Sequence, residues 1–86
     1  LNHMTITMYG ADCCGDCRRA KKFFADNKIE FEWVDLELDE NEKFVKSEVL
    51  RRNNGKQSIP VIVFDDDSHL TEPTNAQLAE KLGLLS

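Results

Sequence analysis

The chain has 86 residues, of which 41% are hydrophobic and 31% charged, and its formal net charge is −5. This composition is typical of one globular domain, and no apolar run approaches the ~20 residues needed to cross a bilayer. An acidic chain without a stripe of Lys and Arg interleaved with aromatic residues lacks the phosphate-neutralising surface of a nucleic-acid-binding protein. We interpret residues 1–3 as a cloning remnant and residues 4–86 as a single domain.

The first half of the chain alternates between strand patterns and a helix pattern. Residues 5–9 alternate and are rich in β-branched side chains, which predicts a strand ending at Gly10. From Cys14 onward the apolar residues recur at spacings of three and four, which predicts a helix to about Lys28. Residues 29–35 alternate again and predict a second strand.

A second helix is predicted in the middle of the chain. Asp39, followed three residues later by Glu42, fits a helix start, and Asn54-Gly55 fits its end. The expected buried stripe of this helix consists of Phe44, Val45, Val49 and Leu50.

The last third of the chain predicts a hairpin and a final helix. The unbroken apolar run Val61–Phe64 is expected of a central strand, and residues 65–68 turn the chain into an edge strand over 69–71. A capping box over residues 74–77 opens the last helix, which ends near Gly83. Its expected core positions are Leu78, Ala79, Leu82 and Leu85.

The predicted element order is β-α-β-α-β-β-α, in the α/β class. Two strands joined by a helix are expected to be parallel with a right-handed crossover, and the last two strands are expected to form a hairpin. A four-stranded mixed sheet flanked by three helices is the simplest packing of these elements.

Three cysteines lie within residues 13–17, which is unlike the spread of cysteines in a disulfide-stapled domain. Cys14 and Cys17 are three residues apart where the first strand gives way to the first helix. Unpaired N–H groups and the positive dipole end at a helix start stabilise a thiolate, so Cys14 is the expected nucleophile. Cys17, one turn deeper, is the expected resolving thiol that releases the substrate.

Charged residues surround this dithiol. Arg18 lies at i+4 from Cys14 and adds positive potential, whereas Asp12 and Asp16 oppose thiolate formation. The two acids therefore favour a reductant over an oxidant. The basic run over residues 18–22 is predicted to be a solvated helix face, with a local role beside the thiols as the alternative.

The number of available ligands argues against a structural zinc site. Structural zinc needs four ligands, whereas the chain has one C-x-x-C and, after residue 3, a single histidine, His69. We predict that His69 is a solvated hairpin residue. We predict that Cys13 is a small buried hydrophobe. The alternatives for Cys13 are a regulatory thiol and a third ligand for an iron–sulfur cluster shared between two chains.

The chain resembles the glutaredoxin family of the thioredoxin superfamily. The similar segments are Met8–Gly10 leading into the C-x-x-C, residues 18–21 after it, and Ser58–Pro60 before the third strand. The resemblance as a whole covers residues 4 to about 84. The resemblance implies a thioredoxin fold and thiol–disulfide oxidoreductase activity.

The resemblance also implies a substrate surface. Pro60 is expected to be cis and to lie against the thiols, and the backbone of Ile59 is expected to pair with a bound thiol peptide as an added strand. Further contacts with the partner are expected from Tyr9, Gln57 and Thr74.

Two departures from the family pattern bear on the electron donor. Gly15-Asp16 stands between the cysteines in place of Pro-Tyr, and residues 72–75 replace the glycine-containing segment that binds the glutamyl end of glutathione. Glu72 there would repel the glutamyl carboxylate. Because residues 70–75 look more like those of the mycoredoxins, we expect mycothiol or glutathione as the donor.

The sequence therefore predicts an electron carrier that reduces protein disulfides or mixed disulfides of small thiols. We expect a cytoplasmic monomer without a bound cofactor, served by a small thiol or by a flavoprotein disulfide reductase. The alternative from another class is an iron–sulfur carrier that uses the cysteine cluster across a dimer. Cys17 argues against that alternative, because a dithiol can close on itself and expel the cluster.

Overall fold

The computed structural model describes residues 5–84 and, within them, every side chain except those of Asp39 and Lys46. One mixed sheet with the strand order β2-β1-β3-β4 is formed by Thr7–Gly10 (β1), Glu32–Asp35 (β2), Val61–Val63 (β3) and His69–Thr71 (β4). β1 and β2 are parallel, whereas β3 is antiparallel to both β1 and β4. The predicted parallel first pair, central third strand and C-terminal hairpin are therefore confirmed.

Three helical regions flank the sheet. The first is α1 (Gly15–Asp26) and the last is α3 (Asn75–Lys81). The middle region consists of a 3₁₀ turn (Asp39–Asn41), α2 (Glu42–Phe44) and a π-helical segment (Val45–Leu50). The predicted capping box of α3 is confirmed: the Gln77 N–H donates to the Thr74 hydroxyl, and the Thr74 N–H donates to the Gln77 side chain. The element order agrees with the prediction, and β4 has its predicted bounds, whereas the other three strands and α1 are shorter than their sequence patterns.

The middle helical region departs from the regular helix that its sequence predicts. Phe44 and Val49, five residues apart, both pack on the sheet, and the wider π-helical turn brings that spacing to one face. Asn54 and Gly55 then adopt positive φ angles of 56° and 87° and end the helix where expected. The predicted cap at Asp39 involves a side chain outside the described part of the chain.

Apolar side chains cover the sheet on both faces. The cluster facing α1 and α3 contains Ile6, Met8, Ala20, Phe24, Ile62, Phe64 and Leu78. The cluster on the opposite face contains Tyr9, Val34, Val49 and Val61. Neighbours such as Met8 and Tyr9 face opposite clusters, as the alternation of a strand requires. Leu85, predicted to lie in the core, is outside the described residues, as are residues 1–3.

A bilayer-spanning helix needs about 20 consecutive apolar residues. Within residues 5–84, no helix has the length and apolar character required to cross a membrane.

Replacing Ile62 by Val is expected to lower the free energy of unfolding by about 1 kcal/mol, because one methylene leaves a well-packed site. Ile62 is fully buried on the central strand β3. Urea denaturation measures the change. The matched control is Ile29→Val, since Ile29 is half-buried at the border of the same cluster, and it is expected to cost less. Equal losses at both positions would contradict this placement of Ile62.

Candidate active site

Cys14 is the residue immediately before the first turn of α1. A tight turn over residues 11–14 is closed by a hydrogen bond from the Cys14 N–H to the Ala11 carbonyl at 3.2 Å. Cys14 itself is extended, with φ −83° and ψ 121°, and its thiol is partly exposed. The N–H groups of a first helical turn have no intrahelical partner and carry the positive end of the helix dipole. A solvent-reachable thiol at this position is well placed for nucleophilic attack.

Cys17 lies one helical turn deeper and is 0% exposed. Burial raises the pKa of the Cys17 thiol to about 12; a hydrogen bond with Cys14 raises it too, whereas the Ala11 N–H and the Lys21 charge lower it. All three cysteines are free thiols. The site therefore contains an accessible thiol above a buried thiol that holds its proton at neutral pH.

Gly10, at the end of β1, makes room for the buried thiol. A Cβ added at Gly10 would lie 2.5 Å from Cys17 Sγ and 3.1 Å from Cη2 of Trp33. Real Cβ atoms do not approach other heavy atoms at 2.5 Å, so any side chain here would displace the sulfur or the backbone. The missing side chain of Gly10 thus sets how closely α1 approaches the sheet.

The segment before β3 faces Cys14 from the other side of the site. The Ile59–Pro60 peptide bond is cis, as the family resemblance implies, and Pro60 is buried. The Cys14 Sγ lies 3.9 Å from the Ile59 carbonyl oxygen. The expected approach of this segment to the Cys14 thiol is therefore confirmed.

Asn53 holds this segment in place and was missed in the sequence analysis. Its Nδ2 donates to the Ser58 carbonyl at 2.9 Å, and its Oδ1 accepts from the Thr71 hydroxyl at 2.6 Å. One side chain thus ties the segment before Pro60 to β4. Its partners lie 5 and 18 residues away in the sequence, so no local pattern identifies them.

Arg52 is the centre of a second polar network and was also missed. Its side chain is only 6% exposed, and it donates to Glu48 at 2.8 Å and to Asp67 at 2.6 Å. His69 Nδ1 lies 3.4 Å from the same guanidinium. His69 is therefore half-buried beside Arg52, which corrects the prediction of a solvated hairpin residue.

The remaining predicted contact residues occupy different environments. Tyr9 is 8% exposed, and its side chain belongs to the cluster on the sheet face away from α1. Burial raises the pKa of Tyr9, and the nearby Glu48 charge raises it further. Gln57 is exposed in the loop before Ser58, and Thr74 is the exposed N-cap of α3. The Ile59 carbonyl lies beside the Cys14 thiol, and Pro60 is the next residue. Substrate contacts stay predictions for all five residues, which are Tyr9, Gln57, Ile59, Pro60 and Thr74.

The carboxylates beside the dithiol are paired with cations. Asp12 lies 2.8 Å from Lys21, and Asp16 lies 3.2 Å from Arg19. Because each negative charge has a positive partner, the two acids oppose a thiolate less than their sequence positions suggest. Arg19 also donates to the Pro73 carbonyl at 3.0 Å and so connects α1 to the segment before α3.

Cys13 is exposed, so the prediction of a buried hydrophobe is wrong. It lies within the tight turn over residues 11–14, which directs its side chain outward, and its thiol donates to the Glu37 carboxylate at 3.7 Å.

Within residues 5–84, no cluster of three or more His, Cys, Asp or Glu residues is arranged to hold a metal ion.

A mixed sheet with three helices, carrying an accessible and a buried thiol beside a cis-proline segment, defines a thioredoxin-fold thiol-redox protein. The sequence model of the glutaredoxin family matches residues 6–69, so the chain belongs to the glutaredoxin family. Members of this family are thiol oxidoreductases.

Three relatives show how far the similarity extends. The chain is 33% identical over 78 residues to a glutaredoxin-named protein of Mycobacterium tuberculosis, covering 90% of this chain and 88% of that protein. It is 29% identical over 82 residues to mycoredoxin 1 of Corynebacterium glutamicum, covering 94% and 96%. The crystal structure of Methanosarcina acetivorans methanoredoxin superposes with a TM-score of 0.75 at 31% identity, covering 92% of this chain and 84% of that chain.

Replacing Gly10 by Ala is expected to lower the free energy of unfolding by about 1–3 kcal/mol, because the new methyl group overpacks the contact with Cys17. Thermal or urea unfolding measures the loss. The matched control is Gly15→Ala in the first turn of α1, where an added Cβ meets no described atom within 4 Å. That control is expected to be neutral or stabilising, and a similar loss in both variants would contradict the close packing at Gly10.

Proposed function

We propose that the protein reduces disulfide bonds with the Cys14–Cys17 dithiol. The observation that carries this proposal is the stacking of a partly exposed thiol at the start of α1 above a fully buried one. The first thiol reaches a substrate, and the second is shielded from solvent until the first has reacted. Oxidised protein disulfides and mixed disulfides between a protein and a small thiol are the proposed substrates.

The proposed reaction has two exchange steps. The Cys14 thiolate attacks one sulfur of the substrate disulfide, forms a mixed disulfide, and expels the other substrate sulfur as a thiolate that takes up a proton. Cys17 then loses its proton and attacks the Cys14 sulfur, which forms the Cys14–Cys17 disulfide and releases the second substrate thiol. Two electrons pass from the dithiol to the substrate.

Return to the dithiol requires a reductant, and we propose a low-molecular-weight thiol. Two molecules of that thiol would open the Cys14–Cys17 disulfide and leave as their own disulfide. The exposed carboxylate of Glu72 favours mycothiol over glutathione, because it would repel the glutamyl carboxylate of glutathione. A dithiol that works in its reduced form fits a reducing compartment, and we propose the cytoplasm.

The proposed substrate surface centres on the segment before β3. A peptide carrying the reacting sulfur would pair with the backbone of Ile59, whose carbonyl lies beside Cys14. Gln57 and Thr74 are exposed, and we propose that they flank the bound peptide. The exposed edge of Tyr9 is a further proposed contact, limited by its 8% exposure.

Cys14→Ser is expected to reduce the rate to that of the uncatalysed reaction, with protein disulfides and with mixed disulfides alike. Cys17→Ser is expected to abolish protein-disulfide reduction only, because the mixed-disulfide reaction needs one thiol. A coupled reductase assay measures both. Cys13→Ser is the matched control, since this neighbouring thiol faces Glu37 and should be dispensable. Full activity of Cys14→Ser would overturn the proposed mechanism.

The donor is identified by treating the oxidised protein with mycothiol or glutathione and counting the free thiols that return. Mycothiol is expected to restore the dithiol faster. Glu72→Gln is expected to raise the rate with glutathione selectively, since it removes the opposing charge. A glutathione rate that Glu72→Gln leaves unchanged would contradict the assigned role of Glu72.

A further inference from the structure

Lys21 occupies a different environment from the other cations of α1. Its Nζ lies 3.5 Å from the centre of the Trp33 ring and 2.8 Å from Asp12, and its side chain is 29% exposed. Lys22, the next residue, is 76% exposed and pairs with Asp26 along the outer face of the helix. The predicted solvated basic face therefore does not include Lys21, which is folded back against the protein.

The position of Lys21 relates it to the resolving thiol. Lys21 follows Cys17 by four residues on α1, so the two side chains share one face of the helix. The Trp33 ring that carries the ammonium group also borders the position of Gly10, against which the Cys17 sulfur packs. The ammonium, the indole ring and the sulfur thus form one contiguous group at the end of β1.

The groups that face Cys17 come from four elements. The turn before α1 contributes the Ala11 N–H, α1 contributes Cys14 and Lys21, and β1 and β2 contribute the uncharged Gly10 and Trp33. Lys21 is the cation among these groups, and its charge opposes the effect of burial on the pKa of Cys17. Asp12 fixes the ammonium in place and offsets part of its charge.

We infer that Lys21 is a positioning residue for the second step of the reaction, in which its ammonium charge stabilises the buried Cys17 thiolate. The inference rests on the proposed dithiol function. In this step the Cys17 proton leaves to solvent, the Cys17 sulfur bonds to the Cys14 sulfur, and the bond between Cys14 and the substrate sulfur breaks. Lys21 takes up no proton; it lowers the cost of placing negative charge on a sulfur that burial disfavours.

Cation–π contact with Trp33 explains how the charge is held there. An ammonium group over an indole face is attracted by the ring quadrupole, and the lysine stem covers the apolar edge of the ring. The exposed ion pair with Asp12 adds little stability by itself, since surface pairs contribute about 0–1 kcal/mol. The arrangement is therefore better suited to directing a charge than to stabilising the fold.

The test separates the two exchange steps with dithiodipyridine, a neutral aromatic disulfide whose attraction to the protein does not depend on lysine charge. In a Cys13→Ser background, stopped-flow mixing gives two releases of thiopyridone: the first reports attack by Cys14 and the second attack by Cys17. Lys21→Gln also leaves Asp12 unpaired, so the comparison is made in an Asp12→Asn background. There Lys21→Gln is expected to leave the first phase unchanged. It is expected to slow the second phase about three- to tenfold at neutral pH and to displace its pH profile to higher pH.

Three variants complete the design. Lys21→Arg keeps the positive charge and is expected to restore the second phase. Lys22→Gln removes the exposed charge beside Asp26 and is expected to leave both phases unchanged. Cys14→Ser tests the proposed function separately, because it should remove both phases. A normal second phase in Lys21→Gln, or a loss that Lys21→Arg does not restore, would overturn the inference while leaving the dithiol function intact.

Discussion

The contact between Cys17 and Gly10 is the constraint on which the site depends. The sulfur occupies the volume that a side chain at residue 10 would fill, so α1 lies unusually close to the end of β1. This approach buries Cys17 completely and leaves Cys14, one turn earlier, at the protein surface. It also brings Trp33 of β2 against the same point, and Trp33 in turn carries Lys21. A single missing side chain thereby sets the depth of each thiol.

Different depths give the two thiols different chemistry. Cys14 lies where unpaired N–H groups and the helix dipole favour negative charge, and the Ile59 carbonyl is close enough to accept from its thiol. Cys17 is buried away from water, and the cost of desolvating a thiolate keeps its thiol protonated. In the proposed reaction, attack therefore begins at the outer sulfur. The inner sulfur would react only after the outer one has become electrophilic as part of a disulfide, so burial accounts for the proposed order of the two steps.

The fold and the dithiol were predictable because their signals are local. Alternating apolar residues predict the strands, and apolar residues at helical spacing predict the helices. Cys14 and Cys17 are recognised by their residue type and their spacing. The missed features depend on contacts between distant segments. Asn53 reaches Ser58 and Thr71, and Arg52 reaches the β3–β4 turn, at separations that no local pattern encodes. The π-helical segment and the exposure of Cys13 were mispredicted for the same reason, since sheet packing and turn geometry decided them.

The charges around the dithiol bear on whether it donates or accepts electrons. From their sequence positions, Asp12 and Asp16 were expected to oppose thiolate formation and so to favour a reductant. Each is paired with a cation, which weakens that argument. Burial of Cys17 supplies a better one. A dithiol becomes a strong oxidant when its reduced form is stabilised by ionisation, and a thiol with a pKa of about 12 gains nothing from ionisation at neutral pH. Burial of the inner thiol therefore supports the proposal that the dithiol acts as a reductant.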